Sequence, residues 1–221
     1  IICADANVAD AAAQAVGAKS VNAGQACVSP TRFFVHASVF DAFCDAFALH
    51  AKALVIGPGD APGITMGPLA NARRLGAISE LVDDARERGA RVLTGGARQG
   101  ERGFFYPMTV LADVPAASRV LNEEPFGPIA IINRFETLDE AIAQANALPF
   151  GLAAYAFTDS ATTIQRLTLE VESGTLVINH FAPSFPETPF GGVKDSGYGR
   201  EGGAESLEAY TYLKTVSQRF A

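Results

Sequence analysis

Three stretches of this 221-residue chain carry side chains able to do chemistry. The first is Asn22-Ala23-Gly24-Gln25-Ala26-Cys27, followed by Val28-Ser29-Pro30-Thr31-Arg32. A thiol flanked by a glycine, an amide and then a proline lies where the backbone bends and polar groups gather. That setting suits a nucleophile, which needs reach, hydrogen-bond donors and access. Taken alone, Cys27 reads more readily as a small buried hydrophobe. Cys44, within Phe43-Cys44-Asp45-Ala46-Phe47, sits in an apolar run and reads as core. The second stretch is Asn122-Glu123-Glu124-Pro125-Phe126-Gly127-Pro128. One of its adjacent carboxylates can accept hydrogen bonds from sugar hydroxyls, as acidic residues do in dinucleotide sites. The pair is also compatible with a charged loop before a buried strand. The third runs from Thr188 to Gly203 and packs six glycines into residues 191–203. Such density demands unusual backbone angles or close approach. The Walker order of glycine, lysine and Ser/Thr is absent. Gly197-Tyr198-Gly199-Arg200-Glu201-Gly202 fits G-x-G-x-x-G, but no buried strand precedes it, so a Rossmann loop is rejected. Hydrolase signatures of the Gly-x-Ser-x-Gly and His-Glu-x-x-His types do not occur.

The whole chain bounds these readings. Hydrophobic residues make up 48% and charged residues 19%, the balance of a folded domain with a sizeable core. A net charge of −7 without a basic run argues against nucleic acid as a partner. No apolar stretch approaches a membrane span. Three cysteines make an odd count, which points to reduced thiols and a cytoplasmic setting. His36, His50 and His180 lack ligand spacing, so no metal is expected. Ile1-Ile2-Cys3-Ala4 reads as a strand entered midway, which suggests a piece of a longer protein.

Helical and strand patterns alternate along the chain. Residues 7–19 are Ala-rich and helical, with Asn7 as cap; Phe33 to His36 read as a strand. Ser38 is expected to open a helix with Asp41 at the capping-box position, burying Phe40, Phe43, Phe47 and Leu54. A loop over 57–63 leads to a helix over about 70–88, with Leu75, Ile78, Leu81, Val82 and Ala85 inward and Gly89 as its stop. Arg91 to Thr94 follow as a strand. From 128 to 179 the pattern is strand (129–132), helix (137 to about 148), strand (152–157), helix (160–172), strand (175–179). Short connections between such units mean parallel strands and right-handed crossovers. The fold class is α/β. Tyr210 to Ser217 read as a terminal strand that must pair with something, for example a neighbouring subunit's sheet.

Taken in order, the three stretches resemble the NAD(P)-dependent aldehyde dehydrogenases. Asn22 to Cys27 is similar to that family's cysteine motif, and Glu123 to Pro128 to its Glu-Glu-x-Phe-Gly-Pro motif. Pro189-Phe190-Gly191-Gly192-Val193-Lys194-Asp195-Ser196-Gly197 is similar to its C-terminal signature. Met66-Gly67-Pro68-Leu69 and the stretch from Ala145-Asn146 to Gly151-Leu152 extend the likeness over the whole chain.

The resemblance implies an α/β catalytic domain, a mostly parallel twisted sheet flanked by helices, over 1–207, with a C-terminal oligomerisation arm over 208–221. It implies that Cys27 attacks an aldehyde carbon, and that its own N–H is half of the oxyanion hole. Hydride then passes to the nicotinamide, leaving a thioester that water hydrolyses. Glu124 corresponds to the residue holding the nicotinamide-side ribose of NAD or NADP, with Phe126 packed nearby. Phe190 corresponds to a substrate-tunnel aromatic, while Asn179, His180 and Ser184 fall near the aldehyde entrance. Glu201 corresponds to a carboxylate linked to the water relay, beside Lys194 and Arg200. The family's general base, its oxyanion Asn and its cofactor-binding domain all lie further upstream of the cysteine than the 26 residues available here. A chain of these residues alone is therefore expected to be inactive, and an incomplete fragment acting as an oligomerisation or binding module is the alternative. In cast the chain is most similar to the succinate-semialdehyde group. Some members of that group carry a carboxylate-gripping Arg and a second Cys where Val21 and Ser29 stand here. A short semialdehyde substrate and a homodimer or homotetramer are the corresponding expectations.

Overall fold

A computed structural model describes residues 1–220 of the chain. Helix α1 (Val8–Ser20) starts where expected, because the Asn7 side chain accepts from the Asp10 N–H. Strand β1 (Arg32–His36) alternates its faces: Phe33 and Val35 join one apolar cluster, while Phe34 joins another. Helix α2 (Phe40–Lys52) does bury Phe40, Phe43 and Phe47. Its start corrects the expectation, for no Ser38–Asp41 capping box forms. A single 3-10 turn at Ala37–Val39 precedes it, and the His36 imidazole accepts the Ser38 N–H instead.

Helix α3 (Ala72–Glu87) is capped by Asn71 and buries all five of its expected residues. Strands β2 (Arg91–Thr94) and β3 (Thr109–Ala112) pair antiparallel. A four-residue helix α4 (Arg119–Asn122) precedes β4 (Ile129–Phe135). Helix α5 (Leu138–Asn146) carries a complete capping box between Thr137 and Glu140. The short β5 (Phe150–Gly151) leads to β6 (Ala153–Ala156), α6 (Ala161–Glu170), β7 (Thr175–Ile178) and the short β8 (Val193–Lys194).

The sheet runs β2-β3-β4-β1, and β6 pairs with β7. Ile2 joins the two parts, with parallel bridges to Val35 on one side and Phe157 on the other. Its N–H donates to the Phe34 carbonyl, and its own carbonyl accepts from His36. The strand character read from Ile1 to Cys3 is thus realised at the centre of the sheet. All of these pairings are parallel except β2 with β3. Strands β4 and β6, consecutive in the expected strand–helix–strand unit, are not neighbours, since β1 and residues 1–3 lie between them. Helices α1, α2 and α3 cover one face, and α5 and α6 the other. Apolar burial on both faces explains the unbroken apolar run at the start of β4.

The expected terminal strand does not form. Residues 204–210 make a 3-10 helix, and from Thr211 to Phe220 the chain has no regular structure and is exposed. A lone strand leaves its backbone groups unpaired, and among the described residues this segment pairs with no strand.

Candidate functional site

The 3-10 segment after α1 (Val21–Gly24) makes an abrupt reversal. Asn22, Ala23 and Gly24 all have positive φ, at 50°, 53° and 72°. The Asn22 amide donates to the Gln25 carbonyl, and the Gln25 amide donates to the Asn22 carbonyl. Gln25 also accepts from the Ala70 N–H, which fastens the bend to the loop before α3. The Gln25 amide is therefore committed to the scaffold and is not a donor beside the thiol. Cys27 emerges from this bend exposed, whereas Cys3 and Cys44 are buried. Burial pushes the Cys44 thiol up to about 12 and raises that of Cys3. Among the described residues the Cys27 N–H donates to no backbone carbonyl.

Cys27 opens on a cavity of about 470 Å³ whose wall includes Val28, Ser29, Glu124, Gly151, Tyr155 and Phe181. Tyr155, from β6, donates its hydroxyl to the Val28 carbonyl at 2.7 Å and so pins the residue after the thiol. Burial raises the Tyr155 phenol, and negative charge at Cys27 raises it further. Phe181 stacks against Tyr155 and Phe157 with ring centroids 4.7 and 5.3 Å away. Neither Tyr155 nor Phe181 was singled out from the sequence. Tyr155 looked like an ordinary strand residue, and only its depth beneath the bend gives it a role.

The two glutamates part company here. Both Glu123 oxygens accept from the Arg119 guanidinium, at 2.7 and 3.0 Å, which holds the Glu123 carboxyl below the usual range. Glu124, also on the cavity wall, has no side-chain partner among the described residues. Of the pair, it is the carboxylate free to accept from a ligand's hydroxyls. Phe126, at a φ of 46°, is half-buried and off the cavity wall.

The other expected site residues lie outside this cavity. Asn179 spends its side chain on the segment just after β6, accepting from the Thr158 N–H and donating to the Thr158 carbonyl. The His180 ring accepts the Ala182 N–H, and Ser184 is exposed. Phe190 and Glu201 are brought together by two backbone hydrogen bonds, apart from the Cys27 cavity. Lys194 donates to the Asn146 and Leu148 carbonyls at the end of α5 and pairs with Glu172. Arg200 donates to the Gly192 and Gly199 carbonyls. In this chain both cations brace the glycine-rich segment, and the Gly151 N–H donates to Ser196 to hold that segment against the cavity wall.

Fold and site together define an α/β domain that presents an accessible thiol beside an unengaged carboxylate. The aldehyde dehydrogenase family matches residues 1–216. The chain is 48% identical over 214 residues to a putative 4-(hydroxymethyl)benzenesulfonate dehydrogenase, TsaD2, of Comamonas testosteroni, covering 97% of this chain and 44% of that one. It is 41% identical to a succinate-semialdehyde dehydrogenase [NADP(+)] of Mycolicibacterium paratuberculosis, covering 98% and 46%. Among solved structures, an NADP-dependent enzyme of E. coli superposes with a TM-score of 0.92 at 39% identity, covering 95% and 44%. An NAD-dependent aldehyde dehydrogenase from Sinorhizobium meliloti gives 0.93 at 32%, covering 96% and 42%. This chain belongs to the aldehyde dehydrogenase family, a family of oxidoreductases. It spans a little under half the length of these relatives.

Proposed function

We propose that this chain is the thiol-bearing part of an enzyme that oxidises an aldehyde to its carboxylic acid with NAD(P)+. The observation that carries the reading is the shared cavity of exposed Cys27 and unengaged Glu124. The Cys27 sulfur, as thiolate, bonds the carbonyl carbon, and the carbonyl oxygen takes up the negative charge. The Cys27 N–H, which donates to no backbone carbonyl among the described residues, would donate to that oxyanion. The nicotinamide, when bound, supplies the hydride acceptor; Glu124 fits its ribose as an exposed carboxylate with free oxygens. Oxidation of the bound carbon leaves a thioester on Cys27. Water then adds to it, releasing the acid and the free thiol. Part of the machinery for that last step is expected upstream of this chain.

Both named relatives handle compounds whose names carry an anionic group, a sulfonate or a carboxylate. A short semialdehyde such as succinate semialdehyde is the proposed substrate. The place of the carboxylate-gripping arginine holds Val21, which is 61% exposed, so any grip must come from elsewhere. Three free cysteines suit a reducing, cytoplasmic compartment. Leu207, Tyr210, Tyr212, Leu213, Val216 and Phe220 leave an apolar tail in solvent, which supports its proposed role as an arm over 208–221 that pairs with a neighbouring subunit in a homodimer or homotetramer.

The test is nucleotide reduction by the full-length protein supplied with an aldehyde and NAD(P)+. Turnover that vanishes in Cys27→Ala supports the reading. Turnover that survives this change overturns it.

A further inference from the structure

Cys27 and Val28 are the corner residues of a tight turn. The Ser29 N–H closes it by donating to the Ala26 carbonyl at 3.0 Å. The entry to this turn is fastened where Gln25 accepts from the Ala70 N–H. Its exit is gripped at two successive carbonyls. The Tyr155 hydroxyl donates to that of Val28, and the Thr31 hydroxyl donates to that of Ser29 at 3.2 Å. Thr31 is itself fixed to the sheet, because its carbonyl accepts from the Ile131 N–H of β4 at 2.9 Å.

The Thr31 hydroxyl has a second partner. The Lys19 amine donates to its oxygen at 3.2 Å, across twelve positions of sequence. Lys19 stands in the last turn of α1 with no exposed surface, and the other buried residues of that helix are Ala11, Ala12, Ala15 and Val16. Lys19 and Thr31 thus bracket the whole bend that carries Cys27. A buried lysine is a costly way to fill space that an apolar side chain could occupy. Here its donor engages a lone pair of the Thr31 oxygen and leaves the hydroxyl proton for the Ser29 carbonyl. Desolvation drags the Lys19 ammonium down to about 7. Protonated or neutral, the amine keeps N–H groups to donate, so the contact survives either state.

We propose that Lys19 and Thr31 form a clamp that positions Cys27, by way of the Ser29 carbonyl, for attack on the aldehyde. The inference rests on the nucleophilic role given to Cys27 above. Both are positioning residues that act through the backbone of the turn.

The experiment uses the full-length protein. Thr31→Val deletes the hydroxyl and keeps the shape, Thr31→Ser keeps the hydroxyl, and Lys19→Met removes the donor. One readout is iodoacetamide alkylation of Cys27, followed by peptide mass. The other is the single-turnover rate of nucleotide reduction with aldehyde and NAD(P)+ saturating. A released turn exposes the sulfur more and aims it less well. Thr31→Val and Lys19→Met are therefore expected to speed alkylation about threefold and to slow nucleotide reduction about tenfold. The KM for cofactor should stay within about twofold of wild type, since only the attacking group has moved. Thr31→Ser should restore both rates to within about twofold of wild type, because it returns the hydrogen bonds without the lost methyl. The Lys19→Met/Thr31→Val double variant should be no worse than Thr31→Val, because the two side chains act as one unit. If Lys19→Met fails to fold, the Thr31→Val and Thr31→Ser pair decides. Unchanged rates in a folded Thr31→Val enzyme, or a Thr31→Ser enzyme no better than Thr31→Val, overturn the clamp while Cys27→Ala stays inactive. Turnover that survives Cys27→Ala overturns the nucleophile reading first, and this inference with it.

Discussion

Gly24 and Gly127 stand backbone against backbone: a Cβ on Gly24 would fall 2.2 Å from the Gly127 carbonyl oxygen. These glycines belong to the cysteine and glutamate motifs, about a hundred residues apart in sequence. Their contact is what lets Cys27 and Glu124 share one cavity wall.

Gly24→Ala is therefore expected to be more damaging than Gly127→Ala. At Gly24 the added methyl meets backbone, and φ is +72°, so strain and overlap combine to about 3 kcal/mol or more. At Gly127 the methyl meets the end of Ile78, a side chain that can turn aside, at a cost of roughly 1–2 kcal/mol. Urea unfolding of both variants measures the order, and equal destabilisation would contradict it.

Alkylation should single out one thiol. Cys27 is exposed, while Cys3 and Cys44 are buried with thiols raised by desolvation. Iodoacetamide on the native protein should label Cys27 first, read by peptide mass, with the other two labelled only after unfolding. Comparable labelling of Cys44 in the folded state would remove the basis for treating Cys27 as the reactive site.

Tyr155→Phe deletes the hydroxyl that holds the Val28 carbonyl. A loss of about 1 kcal/mol in stability is expected, together with a changed Cys27 alkylation rate as the bend loosens. An unaltered rate would mean that the bend is held by its own Asn22–Gln25 hydrogen bonds.

Lys19 should make stability depend on pH. Its ammonium is near 7 when folded against 10.5 unfolded, so between those values the unfolded chain binds more protons and stability rises with pH. The slope approaches roughly 1.4 kcal/mol per pH unit at most. Below pH 7 both states are protonated and this contribution to the slope vanishes. Unfolding midpoints from pH 7 to 9 should climb in wild type and climb less in Lys19→Met. Parallel curves would show that Lys19 titrates normally.

Carboxylate preference on the substrate is open to direct measurement. The proposed semialdehyde specificity expects a higher kcat/KM, in the full-length enzyme, for succinate semialdehyde than for an uncharged aldehyde of equal length. Equal efficiencies would sink it, in keeping with Val21 at the clamp position.

Much of the fold could be read directly. The caps at Asn7 and Thr137 and the buried stripe of α3 are local features, set by side chains within a few residues of one another. The opening of α2 was misread because two groups competed for one donor. Ser38 and Asp41 fit the capping spacing, but the His36 ring reaches the Ser38 N–H first. The terminal strand is not realised within this chain for a different reason, since alternating residues state a capacity to pair and cannot supply the edge.

In the site, the sequence alone determined the identity of the thiol, the carboxylate pair and the glycine-rich segment, and with them the family. Residue type and spacing encode that much. Only the tertiary structure decided which glutamate is free, because Arg119 claims Glu123 across one turn of helix. It alone placed Tyr155 and Phe181 beside Cys27, committed the Asn179 side chain to Thr158, and buried Lys19. These outcomes depend on contacts between segments far apart in the chain, and such contacts leave no trace in local periodicity.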